Sequence, residues 1–219
     1  MRKYGVFTLQ LVLWVLSVLV SVIAYPKLPA QVPVHWNLAG EVDRMGSPLE
    51  ALSIGPIVTL LLILLSRGFS RMDPLKDNYA KFTGASEIII TSVVFFFFGI
   101  QMAMIAAGLG YPIAMAQIVP GAVGLLFLVI GVVLPKVQPN HFMGYRLPWT
   151  IDDPEVWAKT HRVGGQAFVF GGLGMLVIGV AGPQLLGGWS TALLLLLIAV
   201  IVVVPTIYAW RIAGKKRTF

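Results

Sequence analysis

The sequence predicts an all-α integral membrane protein with six transmembrane helices, both termini cytoplasmic, a structured outer loop and a structured inner loop. Three observations carry that expectation. Of 219 residues, 58% are hydrophobic and only 11% charged, whereas soluble domains carry about a quarter charged residues. Several apolar runs approach the ~20 residues that a helix needs to cross a ~30 Å hydrocarbon core. Six spans also place all but Lys27 and Arg44 of the sixteen lysines and arginines on one side. Cytoplasmic connections collect such residues, and an odd number of spans destroys the asymmetry.

The first span covers residues 5–24 and stops at Pro26 and Pro29. Arg2 and Lys3 ahead of it resemble a signal peptide, but the apolar run is too long and lacks a small-residue cleavage site, so a retained helix is expected. An outer interval with three prolines follows, which discourages helix. Ser47, Pro48 and Glu50 then read as N-cap, N1 and capping-box partner of a second span, 48–66. Pro56 lies inside it, and the carbonyl it frees needs a donor from a neighbouring helix. A basic connection leads to span three, 84–108, which contains four consecutive phenylalanines. After the turn Gly110-Tyr111-Pro112, span four runs to 134. Spans five, 164–182, and six, 189–210, share a short Pro/Gly turn. Glycines 171, 172, 174 and 179 suit close helix packing.

Composition also excludes functions. There is no cysteine, so disulfides, thiolate catalysis and Cys-ligated metals are ruled out. The net charge of +7 sits beside apolar runs and points to membrane orientation rather than nucleic acid. Glu87 is the acid clearly inside a span; it reads either as an interfacial carboxylate paired with Lys81 or as an ion or proton group. Glutamines 10, 101, 117 and 166 are placed to hydrogen-bond between helices.

The chemistry-bearing side chains fall in the two polar intervals. His35, Asn37, Glu41 and Asp43 lie within nine residues, with Trp36 at the interface and a turn around Gly40. A closed hydrogen-bonded loop accounts for them; His35 and Asp43 are also weak metal-ligand candidates, since neither an HExxH spacing nor a three-histidine set is present. In the inner loop, 135–163, Asp153 and Pro154 open a helix, and Trp157 and His161 share one of its faces. That segment either lies on the leaflet or begins span five. Arg146 and Arg162 can hold lipid phosphate or pair with Asp152, Asp153 and Glu155. His161 has no adjacent nucleophile, so no catalytic residue is assigned.

Leu28-Pro29, Val32-Pro33, His35-Trp36-Asn37, Gly40 and Asp43 match the pattern LPxxVPxHWNxxGxxD, found in a small membrane domain of unknown function ahead of SdpI-type domains. Asn140, Gly144, Arg146, Pro148-Trp149-Thr150 match NxxxGxRxPWT, and Trp157, Thr160-His161-Arg162 and Gly164 match WxxTHRxG. Together they resemble the SdpI family, named for immunity to a sporulation-delaying toxin. Tyr145 departs from the pattern, where isoleucine or valine is frequent. The resemblance implies a two-helix region over 1–83 and a four-helix SdpI-like region over 84–219. It further implies a non-enzymatic, cofactor-free protein of the prokaryotic plasma membrane. Expected partners are membrane lipids, a peptide toxin outside and a cytoplasmic repressor or other protein inside. A small transporter or channel, and a metal-dependent hydrolase built on His35, are the rival readings.

Overall fold

The computed structural model describes residues 2–217, with the side chains of 5–182 and 185–214. Arg2, Lys3, Lys215, Lys216 and Arg217, which weigh in the charge asymmetry, lie outside the described side chains. Helices α1 (Arg2–Ala24), α2 (Pro48–Met72), α3 (Tyr79–Gly108), α4 (Met115–Val133), α6 (Pro154–Leu186) and α7 (Trp189–Arg217) are long and apolar enough to cross a membrane. A four-residue helix, α5 (Pro148–Ile151), precedes α6. Large apolar side chains such as Ile23, Leu64, Phe170 and Val180 are exposed along these helices, as a lipid-facing belt requires. The chain is a multi-pass membrane protein.

The all-α expectation needs a correction. Residues Val32–Trp36 and Val42–Gly46 form an antiparallel hairpin, β1–β2. Val32 and Val34 alternate inward and pack with Ala51, Leu28 and Met104, a period-two pattern that marks a half-buried strand. The prolines exclude helix, but Pro33 can sit in an edge strand that does not need its N–H.

Ser47 caps α2, its Oγ accepting from Glu50 N at 3.2 Å. The capping box is only half made, because the Glu50 carboxylate turns to Arg44 Nη1 at 2.5 Å. Pro56 removes the donor that would meet the Leu52 carbonyl, and Ser21 Oγ on α1 supplies one at 3.1 Å. Pro205 in α7 does the same to Ile201 O, which receives the Tyr145 hydroxyl at 2.6 Å. Gln101 joins Ser17 and Ser21 in a buried knot between α1 and α3.

The closest helix pair is α4 with α6. A Cβ built on Gly124 or Gly172 would stand 2.7 Å from a carbonyl oxygen of the opposite helix, and so would one on Gly131 or Gly165. Backbones approach this closely only where side chains are missing. Gly171 and Gly174 face Ile201 and Leu197 of α7. Helix α6 begins at Pro154 rather than 164, so the polar connection is 134–153 and the helical half of the expected inner loop belongs to the fifth span. Its regular course ends at Gly182.

Candidate functional site

Two polar constellations stand at opposite chain positions, one in the hairpin and one in the connection between α4 and α6. In the hairpin, Asn37 shapes the turn. Its Oδ1 accepts from Ala39 N at 2.9 Å and Glu41 N at 3.0 Å, and Gly40 N donates to Asn37 O at 2.9 Å. Gly40 has φ of +80° and sits against Ala116 at the start of α4, where a Cβ would collide. Only glycine combines that conformation with that approach. His35 Nδ1 meets Asp43 Oδ1 across the strands at 2.6 Å, and Asn37 Nδ2 donates to Glu41 Oε2 at 3.0 Å. The His35 side chain is 62% exposed and Asp43 42%. Trp36 is half-buried beside them. Among the described residues no three His, Cys, Asp or Glu side chains gather as a metal site would require. His35 and Asp43 form a pair, Glu41 serves Asn37 and Glu50 serves Arg44.

The connection is built around Asp73, a residue that sequence reasoning passed over. Its side chain is fully buried. Its carboxylate accepts from His141 N (2.8 Å), His141 Nδ1 (2.9 Å), Leu75 N (2.8 Å) and the Tyr79 hydroxyl (3.0 Å). Burial alone would raise its pKa, but these donors outweigh it and hold the carboxyl below its ordinary value. Asp73 thus ties the end of α2 and the start of α3 to the distant connection. The hint in the sequence is Met72-Asp73-Pro74, an acid just past a helix end.

Asn140 is also fully buried. Its Oδ1 accepts from Phe142 N and Met143 N at 2.8 and 2.7 Å, and its Nδ2 donates to Gln138 O and Met143 O at 2.9 and 3.1 Å. Gly144, with φ of +102°, lies where a Cβ would overlap the His161 ring. Tyr145 N donates to His161 Nε2 at 3.1 Å, which leaves the proton on Nδ1 to bond Trp157 O at 2.9 Å. Both ring nitrogens are therefore engaged, and the ring is neutral and stacked on Trp157 with centroids 4.0 Å apart. The Trp157 indole N–H donates to Val137 O at 2.7 Å. Thr150 Oγ accepts from Leu147 N and donates to Tyr145 O. Trp149 is half-buried, and its indole N–H has no partner among the described residues.

Asp153 caps α6 as the sequence predicts, accepting from Glu155 N and Val156 N at 2.8 and 3.1 Å. The arginines do not take the expected carboxylates. Arg146 Nη1 donates to His141 O at 3.0 Å, Glu155 pairs with Lys159, and Arg162 is exposed outside every ion pair of the described residues. Arg146→Lys should therefore lower the melting point, by about 1 kcal/mol of stability for one hydrogen bond. Arg162→Lys should leave it unchanged. Equal melting of both variants and the wild type would remove the role given to Arg146.

These motifs are the framework of the connection, and comparison with known proteins places them. Residues 136–209, from the connection through most of α7, match the SdpI/YfhL protein family. The resemblance is to the SdpI family. In this SdpI-like chain, residues 12–60 also match a domain of unknown function, DUF1648, which spans most of α1, the hairpin and the first half of α2. Immunity protein SdpI of Bacillus subtilis (strain 168) is 23% identical over 207 residues, 94% of this chain and 95% of that protein. No solved structure matches. Both SdpI-like signatures now have physical content. HWNxxGxxD is a turn with a cross-strand clasp, and NxxxGxRxPWT with WxxTHRxG supplies the buried polar groups Asn140, Thr150 and His161, with both arginines exposed.

Proposed function

We propose that this chain is a non-enzymatic membrane immunity protein that meets a membrane-active peptide at its hairpin and presents its connection to a cytoplasmic protein such as a repressor. The observation that carries this reading is the similarity to an immunity protein over 94% of the chain. The basic asymmetry supports an orientation with both termini and the 134–153 connection cytoplasmic and the hairpin outside. Exposure supports both contacts: His35, Asp43, Arg44 and Glu50 are accessible on the hairpin, and His141 and Arg146 are exposed on the connection over the fully buried Asn140 and Thr150. The reading needs no cofactor, metal or nucleic acid. A transport pathway has less support, since the polar knot of Ser17, Ser21 and Gln101 spends its hydrogen bonds internally.

The test is protection. Cells sensitive to a membrane-active peptide toxin and expressing this chain should keep their membrane potential at doses that depolarise control cells. His35→Ala and Asp43→Ala should lose protection while still inserting normally, because an exposed ion pair contributes only about 0–1 kcal/mol to stability. Full protection by both variants would remove the hairpin's role. Depolarisation of wild-type-expressing cells at the control dose would overturn the immunity reading itself.

A further inference from the structure

A polar cavity of about 350 Å³ lies between α1, α2 and α3 at the end of the bundle where α2 passes into α3. Gln10, Arg67 and Glu87 line it together with serine and threonine hydroxyls. Gln10 is only 2% exposed. Its Nε2 donates to Thr91 Oγ1 at 2.9 Å, but its Oε1 has no partner among the described residues. A buried acceptor left in that condition is costly unless a donor reaches it. Glu87 beside it is half-buried. The expected pairing with Lys81 is not made, because Lys81 Nζ donates to Asn78 Oδ1 at 3.2 Å, and none of the ion pairs among the described residues includes Glu87. Arg67 lies over the Phe7 ring, its guanidinium carbon 4.2 Å from the centroid. Arg67 belongs to none of the ion pairs among the described residues, so its guanidinium can take an anion.

An apolar groove of about 630 Å³ runs from this cavity along α1, α3 and α4. Leu9, Ile88, Phe95 and Val129 line it, and it shares Thr83 and Glu87 with the cavity. Glu87 thus stands where a polar chamber meets a lipid-like channel. We propose that cavity and groove together bind an aminophospholipid of the phosphatidylethanolamine type. The ammonium is held by Glu87 and the Gln10 carbonyl, the phosphate by Arg67, and one acyl chain lies in the groove. An ammonium with three N–H donors can serve both acceptors at once. A quaternary choline has no such donor, and phosphatidylglycerol has no cation.

The full chain reconstituted in a bilayer of equal phosphatidylethanolamine, phosphatidylcholine and phosphatidylglycerol, then released for native mass spectrometry, reports which lipid it retains. Phosphatidylethanolamine should exceed each of the other two about tenfold, as one charge-assisted hydrogen bond implies. In the isosteric Glu87→Gln the preference over phosphatidylcholine should fall to near parity. Equal retention of the three lipids by the wild type, or an undiminished preference in Glu87→Gln, overturns the proposal. Should that variant fail to fold, the wild-type comparison decides alone. Soluble phosphoethanolamine binding as tightly as the whole lipid would overturn the role of the groove.

Discussion

Gly172→Leu should push α4 and α6 apart and cost about 3 kcal/mol, the upper part of the overpacking range. The size follows from what a side chain would meet. A Cβ on Gly172 stands 2.7 Å from Gly124 O and 2.9 Å from Leu128 N. These are backbone atoms of a helix and cannot turn aside as a flexible side chain does. Gly124 and Gly131 face Gly172 and Gly165 in the same way, so one added side chain disturbs the whole seam. The control is Gly99→Ala in α3, where an added Cβ meets nothing within 4 Å. That change should be neutral or stabilise by up to about 1 kcal/mol, since alanine loses less backbone entropy than glycine in a helix. Thermal melting in detergent measures both. Indistinguishable melting of Gly172→Leu and wild type would mean that the seam contributes little.

Asp73→Asn should release the connection from the α2–α3 end and cost about 3 kcal/mol. The carboxylate accepts from four donors, two at each oxygen. An amide nitrogen in place of one oxygen sets donor against donors in a buried site and leaves them unpaired. The same group predicts acid sensitivity. Its folded pKa lies below the ordinary 3.8, so its contribution is fully present above that value and is lost as pH falls through the folded pKa. Fluorescence of Trp149 and Trp157 should therefore change below about pH 4 in the wild type. Asp73→Asn should show the altered signal at neutral pH already. A flat wild-type profile, or a wild-type spectrum from Asp73→Asn at pH 7, would refute the anchoring role.

Much of this was readable because it is local. The Asp153 cap, the Ser47 cap and the stop after Ala24 depend on neighbours within four residues. Pro56 announces a free carbonyl, although the sequence does not say that Ser21 will meet it. Other misreadings came from choosing between local partners. Glu50 fits a capping box by spacing, but Arg44 offers it a full charge across the hairpin. Lys81 is close to Glu87 in sequence, yet it turns to Asn78. The hairpin was hidden because its two inward valines are too few for a visible alternation, and prolines dominate the stretch.

Six spans, their approximate limits and the membrane itself follow from the sequence alone, since hydropathy and length act within each segment and need no partner. The signature residues could likewise be picked out as motifs. What they do depended on contacts far apart in the chain. Asp73 reaches His141, Tyr145 closes the carbonyl that Pro205 frees in α7, and His161 is locked between Tyr145 N and Trp157 O. A histidine with both nitrogens engaged is framework, and the same residue type at 35, exposed on a hairpin, is available. Burial and hydrogen-bond partners make that distinction, and both are set only when the helices pack.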